Sequence, residues 1–122
     1  MAEAKKTVVL GASPNPSRYS YLAVNRLTNH QHPVVAIGKR PGHIGAVEIK
    51  TDHEPVTNVH TVTLYLNPQN QREYYDYILS LQPRRIIFNP GTENDELEKQ
   101  AKEAGIETVE GCTLVMLGVG TY

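Results

Sequence analysis

The sequence predicts a Rossmann-like α/β domain: a doubly wound parallel sheet of about five strands, with helices on both faces and three layers in all. Three observations predict it. Short apolar stretches alternate with amphipathic ones along the whole chain. The first of these stretches, Thr7 to Leu10, is β-branched and lacks polar alternation, as a central parallel strand covered on both faces does. Finally, Val8-Val9-Leu10-Gly11-Ala12-Ser13-Pro14-Asn15-Pro16-Ser17-Arg18-Tyr19-Ser20-Tyr21 reads as a strand, a tight turn and a helix start. Free backbone N–H groups and the positive end of a helix dipole converge on an anion at such a join.

The elements follow in order. Residues 7–10 form the first strand. A helix over about 18–29 places Ser20, Val24 and Leu27 on one face, with Ala23 beside them. Ser17 is placed to cap it. Pro33 closes the break after it, and residues 34–37 form the second strand, ending in Gly38-Lys39-Arg40-Pro41-Gly42. Residues 43–58 are irregular, with a possible short strand at 47–50. Residues 61–66 form the third major strand. Asn67 as N-cap and Pro68 as first helical residue then open a helix to about residue 81, with Tyr74, Ile78 and Leu81 inward. Tyr75 and Tyr77 are expected to cover a surface.

Residues 85–88 form the fourth strand. Thr92 and Asp95 resemble a capping box for a helix that buries Leu97, Ala101 and Ala104 and stops at Gly105. Residues 106–109 form the fifth strand, and 114–117 a short helix. Right-handed crossovers give the order 3-2-1-4-5.

The length of 122 residues suits one domain, 1–122. With 20% charged residues and a net charge of -1, the chain lacks the basic excess of a non-specific nucleic-acid binder. No apolar run has the length of a membrane span, and Met1–Lys6 is too short and polar for a signal peptide. The single cysteine, Cys112, excludes an internal disulfide, fits a reducing cytoplasm, and reads as a small buried residue. A cytoplasmic domain is expected.

Ligands of this fold bind beyond the carboxyl ends of the strands, where strand order reverses. Gly11, Ala12 and Ser13 supply a tight turn with small side chains, and the Ser13 hydroxyl suits a phosphate oxygen. The G-x-G-x-x-G fingerprint is absent beyond its first glycine, so an ordinary strand–turn–helix join stays open. The second strand ends in Lys39 and Arg40, where an NAD site usually carries Asp or Glu. Two cations there favour a phosphorylated ribose, as in coenzyme A or NADP; two solvated loop cations are the alternative.

Gly38, Pro41 and Gly42 would let the backbone approach the ligand and stiffen that loop. Asn67-Pro68 and Asn89-Pro90-Gly91 read as an adenine or pantetheine wall and a second backbone platform, or as plain turns into helices. Tyr19 and Tyr21 stand near the site, where one would pack on the ligand or on a partner subunit.

The five histidines show no metal spacing and read as surface or loop residues, with His43 in reach of a phosphate. Glu93, Asp95, Glu96 and Glu98 suit the start of a helix rather than acid–base work. No catalytic constellation is legible.

On these residues the chain resembles the stand-alone bacterial CoA-binding domain family, which is similar to the N-terminal nucleotide-binding domain of the succinyl-CoA synthetase α subunit. The marks are Gly11-Ala12-Ser13-Pro14-Asn15-Pro16-Ser17-Arg18, Lys39 after the second strand, and Ala104-Gly105-Ile106 before the last. The resemblance implies binding roles for Ser13, Asn15, Pro16, Ser17 and Lys39, and for Asn67, Pro68, Asn89 and Pro90. The chain departs from many members in having no tryptophan after the fourth strand, and in reading Gly111-Cys112-Thr113 where an Arg-Cys-Pro-like turn is common. The synthetases keep their phosphorylated histidine in a further domain, so their chemistry is not implied.

The expected function is binding of coenzyme A or an acyl-CoA without catalysis, as a carrier, sensor or detached subunit, with a homodimer or a partner enzyme subunit as company. An NADP-binding oxidoreductase or redox sensor is one alternative. An interaction domain with an empty nucleotide site is the other.

Overall fold

A computed structural model describes residues Glu3–Tyr122; of the Met1–Lys6 segment, Met1 and Ala2 lie outside the described residues. The chain runs β1 (Thr7–Leu10), α1 (Tyr19–Asn29), β2 (Val34–Ile37), β3 (Gly42–Ile44), β4 (Val47–Lys50), β5 (Thr61–Leu64), α2 (Pro68–Gln71), a 3-10 turn (Arg72–Tyr74), α3 (Tyr75–Ser80), β6 (Arg85–Phe88), α4 (Asp95–Glu103), β7 (Glu107–Glu110) and α5 (Thr113–Val119). The sheet has seven strands in the order β3-β4-β2-β1-β5-β6-β7. All neighbours are parallel except β3 and β4, an antiparallel hairpin.

The α/β class and the double winding are as expected, but the strand count and the order are not. The short strand expected at 47–50 is β4, and Gly42–Ile44, read as the loop after the second strand and the start of an irregular stretch, is β3, which pairs with it as a hairpin. The strand beside β2 is β4, and Thr61–Leu64 pairs directly with β1 on its other side. The physical reason is helix placement. The chain between β4 and β5 contains no helix; it crosses the face that carries α3 as a loop, with Val56 and Val59 packed on the core there and Glu54 O accepting from the Tyr77 hydroxyl, and brings β5 in next to β1.

The period-2 alternation of the strands sends successive side chains to two cores. On one face Val8, Leu10, Val62, Leu64, Ile86 and Phe88 pack against Tyr74, Tyr77, Ile78, Leu97 and Ala101. On the other, Val9, Ala36 and Ile87 meet Val24, Leu27 and Leu117. Tyr77 is thus a core residue, contrary to expectation: its ring is buried and its hydroxyl donates to Glu54 O. Ala104 is exposed instead of buried, because α4 ends one residue before it and Gly105 adopts φ +79°.

The helix caps also differ from expectation. Arg18, not Ser17, is the N-cap of α1, and no side chain caps it. Asn94, not Thr92, caps α4, its Oδ1 accepting from Glu96 N and Leu97 N. The Thr92 hydroxyl instead donates to Asn89 O at 2.7 Å.

Beneath the sheet, Tyr122 is buried against the N-terminal ends of the strands. Its hydroxyl pairs with Thr7 Oγ1, and the Arg85 guanidinium lies 4.4 Å from its ring centre. His32 stacks beside it at 5.0 Å, so this histidine is a buried residue rather than a surface one.

Candidate functional site

Register brings the strand ends level. Ile37, Leu10, Leu64 and Phe88 are successive Cα partners across β2, β1, β5 and β6, so the loops leaving these strands begin side by side. The chain leaves β1 toward β2 through α1 on one face, and leaves β5 toward β6 through α2 and α3 on the other. A crevice opens where the two windings part. It is a cavity of about 530 Å³.

The turn after β1 is the crevice's central wall. Gly11 has φ +94°, and a Cβ on it would stand 2.9 Å from the Tyr65 carbonyl carbon. Glycine is therefore required both for the turn and for the close approach of the neighbouring strand end. Gly11 N and Ala12 N both donate to Ile37 O, at 2.8 and 2.9 Å. Beyond them Asn15 organises the turn: its N–H donates to Ser13 Oγ, and its Oδ1 accepts from Ser17 N and Ser17 Oγ. That second bond is why Ser17 does not cap α1. Tyr21 N and Leu22 N turn back to Arg18 O, whereas the amides of Ser13, Tyr19 and Ser20 have no acceptor among the described residues. Unpaired amides at a helix start attract an anion.

Of the residues singled out in the sequence, Gly11, Ala12, Ser13, Asn15, Lys39, Arg40, Asn67 and Pro90 line the cavity together. Pro16, Ser17, Pro68 and Asn89 do not. Pro16 and Ser17 lie on the outer, exposed side of the turn, and Pro68 is the first residue of α2. Asn89 points inward: its Nδ2 donates to Thr63 Oγ1 at 2.6 Å and to Leu64 O at 2.9 Å, and its Oδ1 accepts from Thr113 N at 2.9 Å. Asn67 caps α2 through Asn70 N as expected while bordering the cavity. The bare Cα of Gly38 faces Ala12 O rather than the cavity. His43 lies on β3, exposed and away from the cavity.

The structure adds residues that sequence reasoning did not assign to the site. Arg18 and Ser20 border it from the start of α1, and Tyr65 and Leu66 line it after β5, while Tyr19 and the loop through Gly91 and Thr92, expected near the site, line it as well. Each follows a strand end already singled out, which was the signal available. Tyr19 is 72% exposed over the opening, whereas Tyr21 packs into the α1-side core. The Tyr65 hydroxyl is buried without a hydrogen-bond partner, and this desolvation pushes its pKa far above the ordinary phenol value. Cys112 is half-buried at the N-cap of α5, outside the cavity wall, and not a core residue.

The electrostatics are one-sided near β2. Lys39, Arg40 and Arg18 are exposed at the cavity, and none is in an ion pair among the described residues. Three cations, unpaired amides and a small-residue turn suit a polyanion that spans several phosphates. No group of His, Cys, Asp and Glu among the described residues is arranged to hold a metal, and no helix among them is long and apolar enough to cross a membrane.

The sequence model of the CoA binding domain family matches residues 5–118. No curated protein matches the chain. Among solved structures, a crystal structure of an uncharacterized protein is 52% identical, with a TM-score of 0.97, covering 99% of this chain and 100% of its own. A hypothetical protein from Pyrococcus horikoshii OT3 shares the fold at 24% identity and TM-score 0.83, covering 92% of this chain and 80% of its own. An oxidoreductase from Bacillus cereus shares it more distantly, at 15% identity and TM-score 0.59, covering 87% of this chain and 34% of its own.

Proposed function

The chain belongs to the CoA-binding domain family, and we propose that its rim cavity holds coenzyme A or an acyl-CoA without catalysing a reaction on it. The protein then serves as a carrier, a sensor or a detached subunit that presents the thioester to a partner. The pyrophosphate sits at the turn formed by Gly11, Ala12, Ser13 and Asn15, against the amides of Ser13, Tyr19 and Ser20. Lys39 and Arg40 take the ribose phosphate, Arg18 flanks the pyrophosphate, and the pantetheine arm runs over Leu66 toward Asn67 and Pro90.

The observation that carries this reading is the pair Lys39 and Arg40, unneutralised beside the cavity where a carboxylate would select an unphosphorylated ribose. The test is thermal unfolding with excess CoA, acetyl-CoA, NADP or NAD. A ligand at 100 times its dissociation constant adds about 2.7 kcal/mol, a shift of several degrees. A shift with the CoA compounds alone supports the reading. A shift with NADP alone replaces it with a nucleotide-dependent oxidoreductase. No shift with any of them leaves an interaction domain with an empty site.

A further inference from the structure

Cations line the cavity on its β2 side, and acids stand just beyond its lining on the β6 side. At the β1–β2 side stand Arg18, Lys39 and Arg40. At the β6 side the wall of Pro90, Gly91 and Thr92 leads straight into Glu93, whose Oε1 accepts a hydrogen bond from Gly91 N at 2.9 Å. The carboxylate is thereby tethered to a wall residue. Register adds a second acid at the same level: Glu110 of β7 is the Cα partner of Phe88, which is aligned in turn with Leu64, Leu10 and Ile37.

Glu98, Glu93 and Asp95 lie close enough to Glu110 to hold its carboxyl above the ordinary carboxylate value by like-charge repulsion, Glu98 most strongly. Lys102 offsets one of these charges by pairing with Glu98 at 3.1 Å. Neither Glu93, Asp95 nor Glu110 is in an ion pair among the described residues. With strands about 4.8 Å apart, the row from β2 to β7 spans about 19 Å.

We propose that this cavity discriminates among acyl-CoA ligands by acyl charge, accepting neutral acyl groups and disfavouring those that carry a carboxylate. The inference rests on the CoA reading above. The phosphates are drawn to the cationic end and the amide-lined turn. The thioester arm must therefore leave along the remaining length of the cavity, past Leu66 and Asn67 to the Pro90–Thr92 wall. A carboxylate on the acyl group there approaches Glu93, which stands just outside the lining on Gly91, and it lies on the side of the sheet that carries Glu110. A neutral acyl group meets no such repulsion. Partly solvated like charges at this range change affinity by about threefold to tenfold, and salt screens the effect.

The experiment is calorimetric titration of the full chain with propionyl-CoA and malonyl-CoA, which differ by a methyl against a carboxylate, at low and high salt. At low salt, malonyl-CoA is expected to bind about fivefold to tenfold more weakly. That ratio narrows at high salt and falls to about twofold in the Glu93→Gln, Glu110→Gln double variant. Equal affinities at low salt overturn the inference and leave the CoA reading standing, as does a gap unchanged by salt and by the double variant. If neither compound nor CoA itself binds, the CoA reading fails and the inference falls with it.

Discussion

A Cβ on Gly38 would stand 2.1 Å from the carbonyl oxygen of Ala12. The end of β2 and the turn after β1 are therefore in backbone contact, and that contact sets the distance between the cationic loop and the Gly11–Asn15 turn. Neither side of it is a flexible side chain that can step aside. The alignment of Lys39 with the amides around Ser13 depends on the absence of one methyl group.

Gly38→Ala is accordingly expected to destabilise the fold by about 3 kcal/mol, since a backbone atom must move to admit the methyl. Gly91→Ala is the contrast. Nothing lies within 4 Å of its would-be Cβ, so only the φ of +90° resists the change, at a cost of about 1 kcal/mol. Urea titration of both variants measures the difference, and equal losses would contradict the contact.

On the proposed function, Lys39→Glu should weaken CoA binding by about 1.5–3 kcal/mol, because it reverses the charge-assisted contact proposed with the ribose phosphate. Lys39 is exposed and unpaired, so thermal stability without ligand should hardly change. Titration of CoA into the variant checks the point, and unchanged affinity removes Lys39 from the site.

Asn89→Ala should act the other way, on the fold before the ligand. It leaves Thr63, Leu64 and Thr113 with unmet hydrogen bonds in a buried network where Thr63 Oγ1 and Thr113 Oγ1 already pair at 2.7 Å. A loss of about 2–4 kcal/mol follows, read by denaturant unfolding.

Acid should destabilise the protein through the base of the sheet. Burial lowers the pKa of His32, helped by the charges of Lys5, His30 and Arg85; burial also lowers that of His60, helped by Arg85, Lys5 and Arg84. The Lys5 N–H donates to His32 Nδ1 at 2.9 Å, a bond that requires that nitrogen unprotonated. Below the ordinary histidine value of 6.5 the unfolded chain gains protons that the folded chain resists. Stability therefore falls as pH drops through that value, and above it these two groups have no effect. His32→Asn, which keeps an acceptor that does not titrate, should flatten the slope of unfolding free energy between pH 7 and about pH 5.

The strands that proved legible in the sequence are those whose residues face two cores. Val8 and Ile86 sit in apolar runs, and Val62 and Leu64 alternate with Thr61 and Thr63, which are buried too, so a β-branched strand has no competitor there. The hairpin was harder to read because only Ile44 and Ile49 are core residues in it, while Gly42, His43 and Glu48 are not, so its apolar signal is short and broken. Its neighbour β4 then decides the order, so an uncertain strand misplaced a certain one, Thr61–Leu64. Caps failed for a related reason. Ser17 and Thr92 are good capping residues, but Asn15 Oδ1 and Asn89 O reach them first. At the site, position after a strand end was sufficient to find Ser13, Lys39 and Pro90. Whether a side chain then turns into the crevice, as at Asn67, or away from it, as at Asn89, depends on hydrogen-bond partners from distant parts of the chain.

Tyr122 gives the domain a direction in time. Its hydroxyl meets Thr7, 115 positions earlier in the chain, so the central strand is closed from below by a residue synthesised after all its sheet neighbours. A contact of such long sequence separation forms late and slows folding. While the chain emerges from a ribosome, β1, β2 and β5 can associate, but the Arg85 guanidinium and the foot of β1 lack the Tyr122 ring until that residue has been made. Without Tyr122 that foot stays open to solvent, so removing this one ring should leave the base of the sheet the first part to unravel.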